Sequence, residues 1–366
     1  MSTIERGNIS SGAEASNTPW LASWPLEDLV TVPNCPACRG ERRSRLHADL
    51  VDKAFRCAAG TWTLWRCDDC RSAYLDPCPS PSSMHRAYAS YYTHSASGEG
   101  KQAYEALSLP RRLRRQAVNG YMNWRFATKE QPASSAGAAI VRCLPPVRRL
   151  LDEHFRHLPK RPAGGGDLLD FGCGGGSFLA IAESCGWRAS GVDPDPKAVA
   201  KCLAQGLTAT AGGMDVFDGK EALFDQITMN HVVEHVYDPP GVLQACWRLL
   251  KPGGRLWLQT PNIESLGHEH YGPDWRGLEP PRHLVIFSGR ALESELRKAG
   301  FSRVEKIACT SPLPSIVAAS DAMRNGRPAG EGVGLDASQR KKLRKLELQL
   351  VGRPSRDEFL TFAAFK

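Results

Sequence analysis

This chain predicts an α/β fold built on a mostly parallel sheet, and three observations predict it. An apolar run closing on an acid, Leu168-Leu169-Asp170-Phe171, passes at once into the glycine turn Gly172-Cys173-Gly174-Gly175-Gly176. A helical pattern starts at Ser177, and from residue 166 onward strand-like and helix-like stretches alternate. Ahead of that region, two Cys-x-x-C pairs mark a separate small module.

Taken in order, residues 1–33 are rich in serine, glycine and polar side chains without a sustained period, and read as a disordered tail. Residues 34–94 hold the cysteine module and an aromatic segment. Cys35-Pro36-Ala37-Cys38 and Cys67-Asp68-Asp69-Cys70 are separated by 28 residues. Each pair can place two thiolates on one tight turn, and four soft ligands close a tetrahedral zinc shell. The gap exceeds the usual spacing of about fifteen to twenty, but a hairpin can fill it, and Thr61 to Arg66 reads as the strand entering the second turn. A closed ligand set argues for a structural ion. Cys57 and Cys78 are read as non-ligands, and a redox pair is the weaker reading of either motif.

Residues 95–165 read as a basic helical linker, interrupted by a loop at Gln131 to Gly137. The net charge of +8 is concentrated here: residues 101–165 carry 13 Lys/Arg against 4 Asp/Glu. Two readings stay open at this point, an anionic or nucleic-acid surface and a solvated face of linker helices. No apolar run approaches the roughly 18 residues that a membrane helix needs, and Met1 to Pro19 lacks an apolar signal core. A cytoplasmic location without membrane contact is therefore expected, and the twelve cysteines read as thiols or metal ligands.

Strands are expected at about 167–171, 188–193, 207–211, 224–230, 254–260, 301–309 and 357–366. A long connection, 310–356, includes a basic amphipathic stretch from Ser338 to Leu350 that reads as a surface helix. The glycine turn separates one cofactor class from another. A dinucleotide fingerprint needs its third glycine where Ser177 stands; here it comes one residue early, at Gly176. Asp170 would repel a pyrophosphate but attract a ligand carrying an ammonium and a sulfonium, as S-adenosylmethionine does. Asp193 ends the second strand 19 residues after Gly174, close to the distance of a ribose-binding carboxylate. It could equally cap the helix expected from Lys197 to Gln205.

Two further blocks, Asn230-His231-Val232-Val233-Glu234-His235 and Leu250-Lys251-Pro252-Gly253-Gly254, follow in order. With them, residues 165–310 and the C-terminal strand resemble the class I S-adenosylmethionine-dependent methyltransferases. The resemblance implies a Rossmann-like seven-stranded sheet with an antiparallel last strand, preceded by a small zinc ribbon, with residues 166–366 as the methyltransferase domain. It implies S-adenosylmethionine contacts at Asp170, Gly172, Gly174, Gly176, Asp193, Met214, Asn230 and His231, and zinc ligation by Cys35, Cys38, Cys67 and Cys70. A ribbon ahead of such a domain is similar to bacterial enzymes of secondary metabolism and surface-polysaccharide biosynthesis, and more distantly to deoxysugar C-methyltransferases. There a Tyr-Tyr segment folds over the cofactor, which places Tyr92, in Tyr91-Tyr92-Thr93-His94, at the cofactor; an aromatic plug between modules is the other reading.

Methyl transfer to a hydroxyl needs a base. The acceptor side should form from loops at the strands' C-terminal ends, here 230–235 and 261–288. In Pro280-Pro281-Arg282-His283-Leu284, His283 matches the catalytic histidine of the deoxysugar enzymes, while the expected Tyr and Glu are replaced by Pro280 and Arg282. That departure favours oxygen over carbon, with His283 as general base and His235 as second candidate or orienter. The displaced Asp238-Pro239-Pro240 reads as the start of a helix rather than an amine-methylation signature. The expectation is methyl transfer to a small-molecule acceptor, a sugar or natural-product intermediate. C- or N-methylation, an RNA methyltransferase using the basic segment, and a non-catalytic scaffold remain as alternatives.

Overall fold

The computed structural model describes residues 19–88, 104–329 and 334–366. The N-terminal part contains strands β1 (Leu29–Val30), β2 (Arg43–Leu50), β3 (Trp62–Cys67), β4 (Ala73–Leu75) and β5 (Cys78–Pro79). Helices α1 (Leu109–Phe126), α2 (Ser135–Arg142) and α3 (Pro145–His154) follow. The alternating region runs β6 (Asp167–Phe171), α4 (Ser177–Ser184), β7 (Arg188–Asp193), α5 (Pro196–Ala204), β8 (Thr208–Ala211) and β9 (Phe224–Asn230). It continues as α6 (Pro239–Leu249), β10 (Leu250–Pro261), α7 (Leu266–Tyr271), β11 (Val285–Ile286), α8 (Gly289–Lys298) and β12 (Arg303–Lys306). Helices α9 (Leu313–Arg324) and α10 (Ala337–Val351) precede the last strand, β13 (Phe359–Phe365).

Among the described residues, seven strands form one sheet in the order β12-β13-β10-β9-β6-β7-β8. Neighbours from β8 to β10 pair in parallel, and β13 inserts antiparallel between β10 and β12. This is a Rossmann-like sheet in which the last strand of the chain runs antiparallel beside the edge strand β12. Strands buried on both faces read as continuous apolar runs, and β6 obeys: Leu168, Leu169 and Phe171 are buried. The strand order reverses between β6 and β9, the switch point where α/β folds bind ligands.

Helix starts follow their local chemistry. Asp195 caps α5 by accepting from the Lys197 N–H at 2.9 Å, with Pro196 in the first turn. The capping role expected as one reading of Asp193 falls to Asp195, because Asp193 accepts from the Asp195 N–H at 2.9 Å and stays at the strand end. Pro239 begins α6, as the Asp-Pro-Pro triplet implied. The amphipathic stretch is α10, opened by a capping box between Asp336 and Gln339.

Two features correct the sequence reading. Residues 19–33 are not part of a disordered tail: Trp24 is buried edge-on against Trp62, ring centres 5.6 Å apart, and Leu29–Val30 pair with Cys78–Pro79. The averaged composition concealed an indole whose burial stabilises by about 1.5–3 kcal/mol. The cysteine module is also completed from outside, since β11 extends the β2-β3-β4 sheet by pairing antiparallel with β4. Tyr92 and its neighbours Tyr91, Thr93 and His94 lie outside the described residues, as do residues 1–18.

Candidate active site

The glycine turn leaves β6 at the switch point. Gly172, Gly174 and Gly176 all hold positive φ, at 76°, 51° and 84°. At Gly172 a Cβ would run into the Val232 side chain, so the segment after β9 packs directly on the backbone of the β6 turn. At Gly174 a Cβ would meet nothing within 4 Å, so this turn faces open space. The Gly174 N–H donates to Asp193 Oδ2 at 2.8 Å, which ties the turn to the end of β7.

Asp170 lies under the turn with its side chain fully buried. It pairs with the Arg156 guanidinium and accepts from Thr228 Oγ1 at 2.8 Å. Burial raises its pKa above the usual carboxylate range, and Arg156 opposes that rise. Asp170 Oδ2 accepts no hydrogen bond. The open face at Gly174 and the strand-end Asp193 fit the ribose of the ligand expected from the sequence, while Asp170, expected to face the ammonium, is fully buried and paired with Arg156. Arg156 was invisible to sequence reasoning; a charge in a basic linker gives no sign that it stacks 3.8 Å over Phe178 and reaches a core aspartate. Met214 opens a short helical turn after β8 and packs against the core beneath α6.

The second half of the site is built after β9. His231 has φ 54°, and its Nδ1 sits 3.2 Å from Glu234 Oε1. Glu234 is fully buried and also accepts from Thr260 Oγ1 at 2.9 Å. Burial alone would raise it, but the His231 hydrogen bond and the nearby His235 and His283 rings hold it at about 2. The His235 and His283 rings lie 4.7 Å apart. Each is tethered through Nδ1 to a backbone carbonyl, His235 to Arg282 O at 2.9 Å and His283 to Gly277 O at 2.8 Å. Tyr88 Oη approaches His235 Nδ1 at 3.1 Å. Burial pushes His283 down to about 4, against the opposing charge of Glu279. The structure thus gathers His231, Glu234, His235 and His283 beside the glycine turn. Asn230 stands at the end of β9 next to them.

The 261–288 loop carrying His283 is fixed by a buried ion pair that sequence reasoning missed. Arg282 donates to Asp52 through Nη1 at 3.1 Å and Nη2 at 2.6 Å, and both side chains are fully buried. Asp52 also accepts from the N–H groups of Phe55, Cys57 and Ala58, so the cysteine module holds the acceptor-side loop in place. Within the module, Cys35 and Cys70 sulfurs lie 3.7 Å apart and Cys38 and Cys67 sulfurs 3.5 Å. All four fall within 4.8 Å of one another. Zinc–sulfur bonds of about 2.3 Å in a tetrahedron require about 3.8 Å between sulfurs, so the four residues fit such an ion. Cys57 and Cys78 stand apart from that cluster.

In the basic segment, several charges are engaged within the chain. Arg112 stacks over Tyr104, Arg125 over Phe126 and Arg142 over Trp124, the last at 4.1 Å. No helix among the described residues is long and apolar enough to cross a membrane.

Residues 144–306 match a family model described as a methyltransferase domain. These residues carry a methyltransferase domain. A ubiquinone biosynthesis O-methyltransferase of Xanthomonas oryzae pv. oryzae (strain PXO99A) is 34% identical over 105 residues, 27% of this chain and 44% of that protein. One from Methylocella silvestris is 29% identical over 166 residues, covering 38% and 65% of the two chains. The chain spans about half the length of the curated relatives it matches. A solved S-adenosylmethionine-dependent methyltransferase from Archaeoglobus fulgidus is similar at 18% identity and a TM-score of 0.40, over 64% of this chain and 95% of that one. The matched residues begin at Leu144, just ahead of α3, and include the glycine turn, Asp193 and the histidine cluster.

Proposed function

We propose that this protein methylates a hydroxyl oxygen of a small-molecule acceptor, a sugar or natural-product intermediate, with S-adenosylmethionine as donor and a structural zinc ion at Cys35, Cys38, Cys67 and Cys70. The observation that carries this reading is the buried Glu234 with three histidines around it, beside the glycine turn at the switch point. The names of the curated relatives, O-methyltransferases, support oxygen over carbon or nitrogen.

The bound cofactor supplies an electrophilic methyl group on a sulfonium. The residues supply position and a base. Asp193 is set to take the ribose hydroxyls, and Asp170, fully buried on Arg156, supports the turn from beneath. For the proton, the geometry favours His231 over His283, the base expected from the sequence. The His231 side chain is 32% exposed and that of His283 is 4% exposed, so acceptor reaches the former. Glu234 accepts at His231 Nδ1, which orients the ring and leaves Nε2 as the proton acceptor, the logic of a carboxylate–histidine dyad. With the donor bound, its sulfonium would give the methyl group to the acceptor oxygen and leave as a thioether, and His231 Nε2 would take the hydroxyl proton.

Turnover with methyl-labelled S-adenosylmethionine across phenolic, sugar and amine acceptors tests this. Label should enter hydroxyl acceptors, and His231→Ala should abolish transfer while S-adenosylhomocysteine still binds. Transfer confined to amines or carbon acids would overturn the reading.

A further inference from the structure

We propose that Glu234, His235 and His283 form a second metal site, for a first-row divalent cation of the zinc class, distinct from the four-cysteine cluster. The proposal rests on the acceptor-side reading above only for its location; the site is argued from its own geometry.

One ligand atom from each residue lies within 4.8 Å of the other two. Two are imidazoles and one is a carboxylate, a mixed nitrogen and oxygen donor set of the kind that holds zinc-class ions. Both rings are held as metal-binding histidines are held. The Nδ1 of His235 is fixed on the Arg282 carbonyl and that of His283 on the Gly277 carbonyl. Donation from Nδ1 sets the tautomer that presents the Nε2 lone pair to an ion.

Charge makes the second argument. Glu234 is fully buried, and among the described residues its ion-pair partner is an imidazole, His231. The nearby guanidinium groups are already matched: Arg282 holds Asp52, and Arg276 holds Glu279. A buried carboxylate without a full cation is costly, and a divalent ion against neutral imidazoles removes that cost. Glu279 borders the same cluster, its Oε2 lying 3.9 Å from His283 Nε2 and 3.6 Å from Arg282 Nε. Imidazole nitrogen favours zinc, iron, cobalt or nickel over magnesium or calcium.

The purified full chain, produced with cobalt in place of zinc, tests the site. Metal analysis should give two ions per chain. One should show the sulfur-to-cobalt charge-transfer band of the cysteine cluster, the other the weaker ligand-field spectrum of a nitrogen and oxygen site. His283→Asn and His235→Asn should each lose the second ion and keep the thiolate band, which reports that the fold survives. One ion per chain in the wild type, carrying thiolate character alone, overturns the site. Methyl transfer measured on the same samples separates the two readings: a single-ion protein that still methylates hydroxyls sinks the metal site and leaves the function standing. Two ions without methyl transfer do the reverse.

Discussion

The two ends of the switch point are built in opposite ways. The cofactor end is local: the glycine turn, Asp170 and Asp193 come from two adjacent strands and the loop between, and Gly174 bonds Asp193 across a short stretch of chain. The acceptor end is assembled from a distance: His231 and Glu234 follow β9, His283 comes from the 261–288 loop, and Asp52, which fixes that loop, is 230 residues from Arg282. The difference teaches where specificity resides. A cofactor shared by many reactions can be held by one compact turn. An acceptor is recognised by loops that need separate support, and here the cysteine module supplies it.

Four perturbations test that division, three of them at the acceptor end. The largest expected effect is at His231. His231→Ala should lower kcat by about 100- to 10,000-fold, with cofactor affinity unchanged in calorimetry; a parallel loss of cofactor binding would merge the two ends. Next is the strut between modules. Arg282→Leu leaves the Asp52 carboxylate buried without its partner, and should cost about 3–5 kcal/mol of stability in denaturant unfolding. The double change with Asp52→Leu should recover part of that loss; if it recovers none, the pair and the N–H groups that Asp52 accepts from hold the loop in a way simple packing cannot replace.

A smaller effect concerns Glu358, which anchors the same loop by accepting from Trp275 Nε1 at 2.8 Å and the Gly267 N–H at 2.7 Å. Burial raises its pKa to about 7. The folded state therefore holds this proton more tightly than the unfolded chain. Its contribution is complete below the ordinary carboxylate pKa and is lost as pH rises through about 7. Between pH 5 and 8 the wild type should lose on the order of 1–3 kcal/mol that Glu358→Gln keeps, read as a divergence of Tm with pH. Parallel Tm curves would place the proton elsewhere.

Legibility in the sequence follows the same division. Strand β6, the middle of β10 and β13 were legible as largely apolar runs, a signal contained within a few residues, while β8 and β12, at the two edges of the sheet, are mixed in composition and largely exposed. The four cysteines were legible by spacing. Val285–Ile286 was not, since two apolar residues inside a loop carry no period, yet they complete the ribbon sheet. Arg282 stood in view as a departure from a motif, but nothing in a linear chain connects it to Asp52. His283 was legible as a histidine at the acceptor end, while its burial was not, because that depends on the ribbon packing over the loop. Arg156 looked like one charge of a basic linker and proves to be the partner of Asp170.

The central claim is the S-adenosylmethionine pocket at the glycine turn, and S-adenosylhomocysteine titrated calorimetrically into wild type and Asp193→Ala tests it most directly. The account predicts micromolar binding to the wild type and a loss of roughly 100-fold in the variant, since charge-assisted hydrogen bonds contribute about 1.5–3 kcal/mol each. Equal affinity in both proteins, or none in the wild type, would contradict it.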